Sequence, residues 1–121
     1  MLRLPIKLNQ TNKYSNTKVW LDNIEFDSKK EARRYSQLKL LIRAKEIMDL
    51  KMQVPFELQE GFRDNQKNWR RPIIYIADFT YIDIRTPFLI IEDTKGFRTP
   101  DYKIKKKLFL HKYPNIIFKE I

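Results

Sequence analysis

Four positions in this 121-residue chain carry an aspartate followed two residues later by lysine: Asp27–Lys29, Asp49–Lys51, Asp93–Lys95 and Asp101–Lys103. The pattern is too common to mean anything alone, and context singles out Asp93–Lys95. There the apolar run Phe88-Leu89-Ile90-Ile91 ends abruptly in Glu92, Asp93, Thr94 and Lys95. Strand side chains alternate, so Leu89, Ile91, Asp93 and Lys95 share one face and Ile90, Glu92 and Thr94 take the other. Glu92 is thereby the odd one out. In the preceding run, "PIIYIADFTYIDI" (72–84), Asp78 stands among apolar residues, where an acid is rarely left unpaired. A turn at Arg85-Thr86 pairs Ile84 with Pro87 and sets Asp78 opposite Asp93, with Cβ atoms about 5 Å apart. Two carboxylates so close repel unless a cation intervenes. Lys95 supplies one charge and a divalent ion would supply two. Hard oxygen donors, no cysteine and no nearby histidine suit Mg²⁺, with Mn²⁺ as a substitute. The alternative is that Asp78 and Asp93 are ordinary strand-end acids facing solvent, with Lys95 as an ion-pair partner.

Cleaving a phosphodiester requires a nucleophile, neutralised charge at phosphorus and a stabilised leaving oxygen. A divalent ion on Asp78 and Asp93 would lower the pKa of a bound water and polarise the phosphate. Lys95 would orient that water and offset developing negative charge, a task suited to a compact ammonium. Glu31 is the third acid of interest. It stands at capping-box spacing from Ser28, which by itself explains a glutamate there. It also continues the helical stripe of Tyr35, Leu38 and Ile42, so it is expected to reach a carboxylate cluster on a sheet beneath.

The elements that must position these groups follow from patterning. Leu2, Leu4, Ile6 and Leu8 alternate within a basic segment, 1–17, read as an arm or edge strand; Pro5 argues against a central one. "KVWLDNIEFDS" (18–28) predicts a hairpin turning at Asp22-Asn23. A helix is expected over 28–47 with Tyr35, Leu38, Leu41 and Ile42 inward, then a strand over 50–59 and a polar, basic loop over 60–71. Strands are expected over 72–84 and 87–95, the first covered on both faces because both of its phases are apolar. Thr99-Pro100-Asp101 opens a second helix, with Ile104, Leu108 and Phe109 or His111 inward. Residues 115–121 close the chain as a strand. Helix, three strands, helix, strand is the order of an α/β domain, 18–121, with helices packed on a mixed sheet.

Lysine plus arginine number 25 against 15 acids, a net charge of +10, which favours a polyanionic partner, nucleic acid first. Lys103, Lys105, Lys106, Lys107 and Lys112 load the second helix. Arg63, Lys67, Arg70 and Arg71 load the 60–71 segment, where Trp69 is placed to stack on a base. Lys29, Lys30, Arg33 and Arg34 load the first helix. Each cation taken singly is explained as a solvated face; the total charge is not. The absence of cysteine excludes disulfides and thiol nucleophiles, and a single histidine excludes a histidine-rich metal site. No apolar run approaches about 18 residues, so no membrane partner is expected. "MLRLPIKLNQ" has no apolar core of the signal-peptide kind, so the cytoplasm is the expected compartment.

A helical glutamate, a strand aspartate and an acid-x-lysine on the next strand resemble the PD-(D/E)XK nuclease superfamily. The closer similarity is to small phage-encoded endonuclease-like or resolvase-like proteins. It is carried by "KYSNTKVWLDNIEFDSKKEARRY", "QVPFEL", "IADFTY", "IEDTKG" and the basic helix, and covers roughly residues 13–121. The resemblance implies a restriction-endonuclease-like α-β-β-β-α-β core and Mg²⁺-dependent hydrolysis of DNA. It assigns Asp78 and Asp93 as motif acids, Lys95 as the motif lysine, Glu31 as the helical acid and the Thr94 carbonyl as an extra metal ligand. Ala77 stands where the motif has proline, a position that varies within the superfamily. A chain this small that cuts both strands is expected to act as a homodimer. A phage origin would make the host cytoplasm the compartment and phage proteins possible partners. The alternative function is a non-catalytic nucleic-acid-binding module of a phage replication, recombination or packaging complex; the intact set Asp78, Asp93 and Lys95 argues for the enzyme.

Overall fold

The computed structural model describes residues 17–94 and 98–121. The arm read at 1–17 therefore lies, apart from Thr17, outside the described residues, as does Lys95. The chain divides into two compact units, Met1–Ser36 and Gln37–Ile121.

In the first unit, β1 (Val19–Leu21) and β2 (Ile24–Phe26) pair antiparallel around the expected turn. Asp22 and Asn23 both adopt positive φ, 52° and 64°, the pair of values a tight hairpin turn requires and that Asp and Asn tolerate. Helix α1 (Lys29–Arg43) begins at Ser28, whose Oγ accepts the Glu31 N–H at 3.1 Å. The Glu31 carboxylate returns to the Asp27 N–H at 3.3 Å, one residue earlier than the usual reciprocal box. Phe26, Ala32 and Tyr35 are buried, and the Phe26 and Tyr35 rings lie 5.0 Å apart. The Tyr35 hydroxyl donates to Asp22 at 3.0 Å, tying the helix to the hairpin turn.

The second unit takes the rest of α1, on which Leu38 is buried and Leu41 and Ile42 half-buried, and a four-stranded sheet. The sheet order is β3 (Ile47–Gln59), β6 (Ile73–Asp83), β7 (Leu89–Asp93), β8 (Ile117–Glu120). The first two pairings are antiparallel and the last is parallel, so the sheet is mixed. Helix α2 (Pro100–Lys112) makes the crossover that a parallel pair needs. β3 lies at an edge, the position that Pro55 demands. The segment expected to be a loop at 60–71 instead holds a second hairpin, β4 (Phe62–Arg63) with β5 (Trp69–Arg70).

Thr99 caps α2 as expected, its hydroxyl accepting the Tyr102 N–H at 3.0 Å. The inward face agrees with the sequence reading in part: Phe109 is buried and Leu108 packs against the core as expected, but Tyr102 is buried as well, whereas Ile104 is 61% exposed and His111 is exposed. The buried stripe runs through the aliphatic stems of Lys105 and Lys106, which a count of apolar residues alone misses. Tyr102 and Phe109 join Leu58, Tyr75, Ala77 and Ile91 in one cluster. Around Phe109 the rings of Phe56, Tyr75 and Phe118 meet it at 5.2–5.5 Å in tilted or edge-on geometry, where aromatic contacts are favourable. β6 is covered on both faces only in its second half; Ile76 in the first half is 50% exposed. No helix among the described residues is long and apolar enough to cross a membrane.

Candidate functional site

The β6–β7 register is the one the sequence anticipates: Phe79 opposes Glu92, Thr80 opposes Ile91 and Ile82 opposes Leu89. The connection producing it is different. The turn falls at Ile84-Arg85, with the Thr86 N–H on the Asp83 carbonyl at 3.0 Å, and the strands resume only at Leu89. The Asp83 side chain directs this, accepting the Arg85 N–H at 2.9 Å and its guanidinium at 3.0 and 2.8 Å.

Asp78 and Asp93 do not simply face each other. The Tyr75 hydroxyl donates to Asp93 at 2.6 Å, and the Tyr81 hydroxyl donates to Glu92. Asp93 and Glu92 are neighbours on opposite faces of β7, so Tyr75 and Tyr81 occupy opposite faces of β6. In a regular strand two residues six apart would share a face. The alternation therefore slips by one between them, and the slip falls at Asp78. On the β3 side, Ala77 pairs with Val54 and Phe79 with Met52, but Asp78 and Gln53 are left out of the ladder. Gln53 takes φ 54°, a left-handed conformation unusual inside a strand. The irregularity frees Asp78 from the alternation, and it is half-exposed between buried Ala77 and Phe79.

The Asp78 carboxylate is held from the β7 side. Its Oδ2 accepts the Thr94 N–H at 2.7 Å and the Thr94 hydroxyl at 2.8 Å. Its Oδ1 meets Gln53 Nε2 at 3.4 Å, a long contact. Asp93 is wholly buried. Burial, then the hydrogen bond to Asp93 and that carboxylate's charge, push the Tyr75 hydroxyl far above the usual tyrosine range; the Asp78 charge adds to this. Tyr75 therefore stays a proton donor and helps keep a buried acid in place.

A second tyrosine extends the network. Tyr102 lies within the field of Asp93 and donates to Glu120 at 2.6 Å. Glu120 is the parallel-strand partner of Asp93. Glu120 also takes Arg98 at 3.1 Å and Lys106 at 3.1 Å. The Tyr102 hydrogen bond, followed by Lys106 and Arg98, holds the Glu120 carboxyl below its ordinary value against the opposing effect of burial. Arg98, Tyr102, Lys103, Lys106, Lys107 and Glu120 line a shallow cavity of about 270 Å³.

Asp78, Asp93 and Thr94 thus come together at the C-terminal end of β7. Glu31 belongs to the first unit, where it is buried and serves the helix cap. No group of three or more His, Cys, Asp or Glu among the described residues is arranged to hold a metal ion. Of the expected nucleic-acid contacts, Lys103 and Lys107 are exposed, Lys105 meets Asp101 at 3.8 Å and Lys106 is tied to Glu120. Arg71 and Trp69 are exposed, and Arg70 pairs with Asp64 at 3.1 Å. The sequence reading missed Tyr75, Tyr102, Glu120, Arg98 and Gln53. The two tyrosines carried a signal: a phenol within an apolar strand or on a buried helical stripe needs a polar partner.

None of the curated proteins matches this chain, and no solved structure does. A family model matches residues 11–121, nearly the whole length, and the chain belongs to that family, described as Protein of unknown function (DUF1064).

Proposed function

We propose that this chain is a Mg²⁺-dependent endonuclease acting on DNA, built on a restriction-endonuclease-like core. The observation that carries the reading is the seat of Asp78: a half-exposed carboxylate between buried Ala77 and Phe79, fixed by the amide and hydroxyl that follow Asp93. The α-β-β-β-α-β order of the main elements and the mixed sheet support it.

The donor set fits Mg²⁺, which commonly takes one or two carboxylates and completes its shell with water and substrate phosphate. Asp78 and Asp93 would hold it, with the Thr94 carbonyl as a further oxygen ligand and Mn²⁺ as a substitute. When bound, the ion supplies a more acidic water and neutralises phosphate charge. The chain's own groups do the rest. Thr94 fixes the direction of Asp78, and Tyr75 holds Asp93 in one rotamer. Lys95 orients the attacking water and offsets charge as the bond breaks. Arg98, Lys103, Lys106 and Lys107 bind the flanking phosphates. Homodimerisation would bring two such centres to opposite strands, and a phage partner protein is a further proposal from the same reading.

One observation favours a non-catalytic nucleic-acid-binding module instead: Asp93 is wholly buried and already engaged by Tyr75. The deciding experiment is cleavage of supercoiled plasmid and a four-way junction in Mg²⁺, Mn²⁺ or EDTA. Wild type is compared with Asp78→Ala and Lys95→Ala. Metal-dependent cutting lost in both variants is the expected result. Binding without cutting, equal in all three proteins and indifferent to metal, establishes the binding module.

A further inference from the structure

The β4–β5 hairpin is the most exposed aromatic element of the second unit. Trp69 is 54% and Phe62 43% exposed. Within 61–71 the cations are Arg63, Lys67, Arg70 and Arg71, and the one acid is Asp64. Asp64 is consumed internally. It accepts the Gln66 and Asn68 N–H groups, each at 2.9 Å, and Arg70 Nε at 3.1 Å. Its backbone closes the turn, with the Lys67 N–H on the Asp64 carbonyl at 2.8 Å and the Asp64 N–H on the Asn68 carbonyl at 3.0 Å. Arg63 donates to the Lys67 carbonyl at 3.0 Å. The tip is therefore ordered by its own bonds and presents cationic charge, its own acid engaged internally; the exposed Glu60 lies just before the hairpin.

The indole is equally fixed. Its six-membered ring lies against Gly61, where a Cβ would come within 2.5 Å of Trp69 Cζ2. The Arg63 guanidinium stands over the ring at 5.8 Å from the centroid, a cation–π arrangement. Arg63 and Trp69 are direct cross-strand partners, so the hairpin register itself sets this stack. A rigid aromatic loses little entropy on contact, and one flanked by cations suits a base with its phosphates. Bases in a duplex are already stacked and offer no free ring face; unpaired bases do.

We infer that the β4–β5 hairpin is a stacking platform for unpaired DNA bases, with Trp69 as the stacking group and Arg63, Lys67, Arg70 and Arg71 tracking the backbone. This rests on the nucleic-acid half of the proposed function and not on its metal chemistry. It specifies the substrate as DNA with a single-stranded or branched segment.

The test is made in EDTA, so that cutting plays no part. The Trp20→Phe protein leaves Trp69 as the only tryptophan. Its emission and the anisotropy of a labelled oligothymidylate are followed, with a blunt duplex of equal length in parallel. The expected result is quenching of Trp69 by the oligothymidylate. Trp69→Ala then weakens single-strand binding about tenfold or more, with duplex binding changed less than about twofold. Trp69→Phe keeps most of the affinity because a smaller ring still stacks. Gly61→Ala, which drives a methyl into the indole, lowers single-strand binding while retaining the tryptophan. Replacing Arg70 and Arg71 by glutamine weakens both ligands and reduces the salt slope by about one per cation. An unquenched Trp69, or equal losses on single strand and duplex in Trp69→Ala with an unchanged thermal melt, overturns the inference. Quenching by a protein that never cuts would defeat the nuclease reading alone. Metal-dependent cutting with a silent Trp69 would defeat the stacking platform alone.

Discussion

β7 presents two adjacent carboxylates to opposite faces of the sheet, and both are wholly buried. Locally they are near copies: Glu92 receives the Tyr81 hydroxyl and Asp93 receives the Tyr75 hydroxyl. Their surroundings differ. On the Glu92 face the neighbours include Phe79 and Ile90, both buried, and Lys119, its exposed partner on β8. Beside Asp93, Thr94 fixes the half-exposed Asp78, and Tyr102 leads on to Glu120, Arg98 and Lys106. A buried acid with a tyrosine donor is thus this sheet's general way of tolerating a carboxylate. Connection to a solvent-facing acid and a cationic cavity is what marks Asp93.

The sharpest way to break this comparison is to neutralise each acid at constant shape. Asp78→Asn and Asp93→Asn are expected to lower Mg²⁺-dependent plasmid cleavage on the order of 10²-fold or more, the scale at which a site loses a charge-positioning group. Glu92→Gln is expected to leave the rate within about threefold, because its face leads to no phosphate-binding surface in the proposed mechanism. Equal losses in Asp93→Asn and Glu92→Gln would erase the distinction.

The tyrosines sharpen the contrast at a smaller scale. Tyr75→Phe and Tyr81→Phe each remove a donor from a buried carboxylate and are expected to cost about 1–3 kcal/mol in urea unfolding. Only Tyr75→Phe should also change the Mg²⁺ concentration for half-maximal cleavage, since Asp93, unlike Glu92, is proposed to hold the ion. A shift in Tyr81→Phe as well would place Glu92 in the metal site.

Much of this contrast was legible and part was not. Alternation put Asp93 and Glu92 on opposite faces of β7, and the register of β6 against β7 was correct although the turn was wrong. An apolar count tolerates that error, because Asp83 and Arg85 rebuild the connection without moving the ladder. The slip at Asp78 was invisible because it requires two strands at once, Gln53 with its positive φ and Asp78 opposite. Alternation set Glu92 apart from Asp93, as the structure does, but could not show that the Tyr81 hydroxyl reaches it. On α2 the apolar count chose Ile104 over Tyr102, because lysine stems complete the buried stripe that links Tyr102 to Phe109. The hairpin at 62–70 was hidden by its polar composition; its order comes from Asp64 bonding to backbone and Arg70 rather than from an apolar pattern.

The smallest expected effect compares two acids that gain cations at opposite ends of the sheet. At Asp83, hydrogen bonds from the Arg85 side chain and then its backbone N–H pull the carboxyl down to about 2. Glu120 is lowered by the Tyr102 hydrogen bond and then by Lys106 and Arg98. Both folded values lie below the unfolded ones, so each contribution is complete above the unfolded pKa and is lost as pH falls through the folded pKa. For Asp83 that window runs from about pH 4 down to about pH 2. Asp83→Asn should therefore flatten the acid limb of a stability–pH curve while leaving cleavage near neutral pH unchanged. Glu120→Gln should flatten it too, and should also alter cleavage, because it frees Arg98 and Lys106 at the rim of the proposed phosphate-binding cavity. An Asp83→Asn protein with altered cleavage would show that the turn at Ile84-Arg85 positions the carboxylate end of β7, which the retained register argues against.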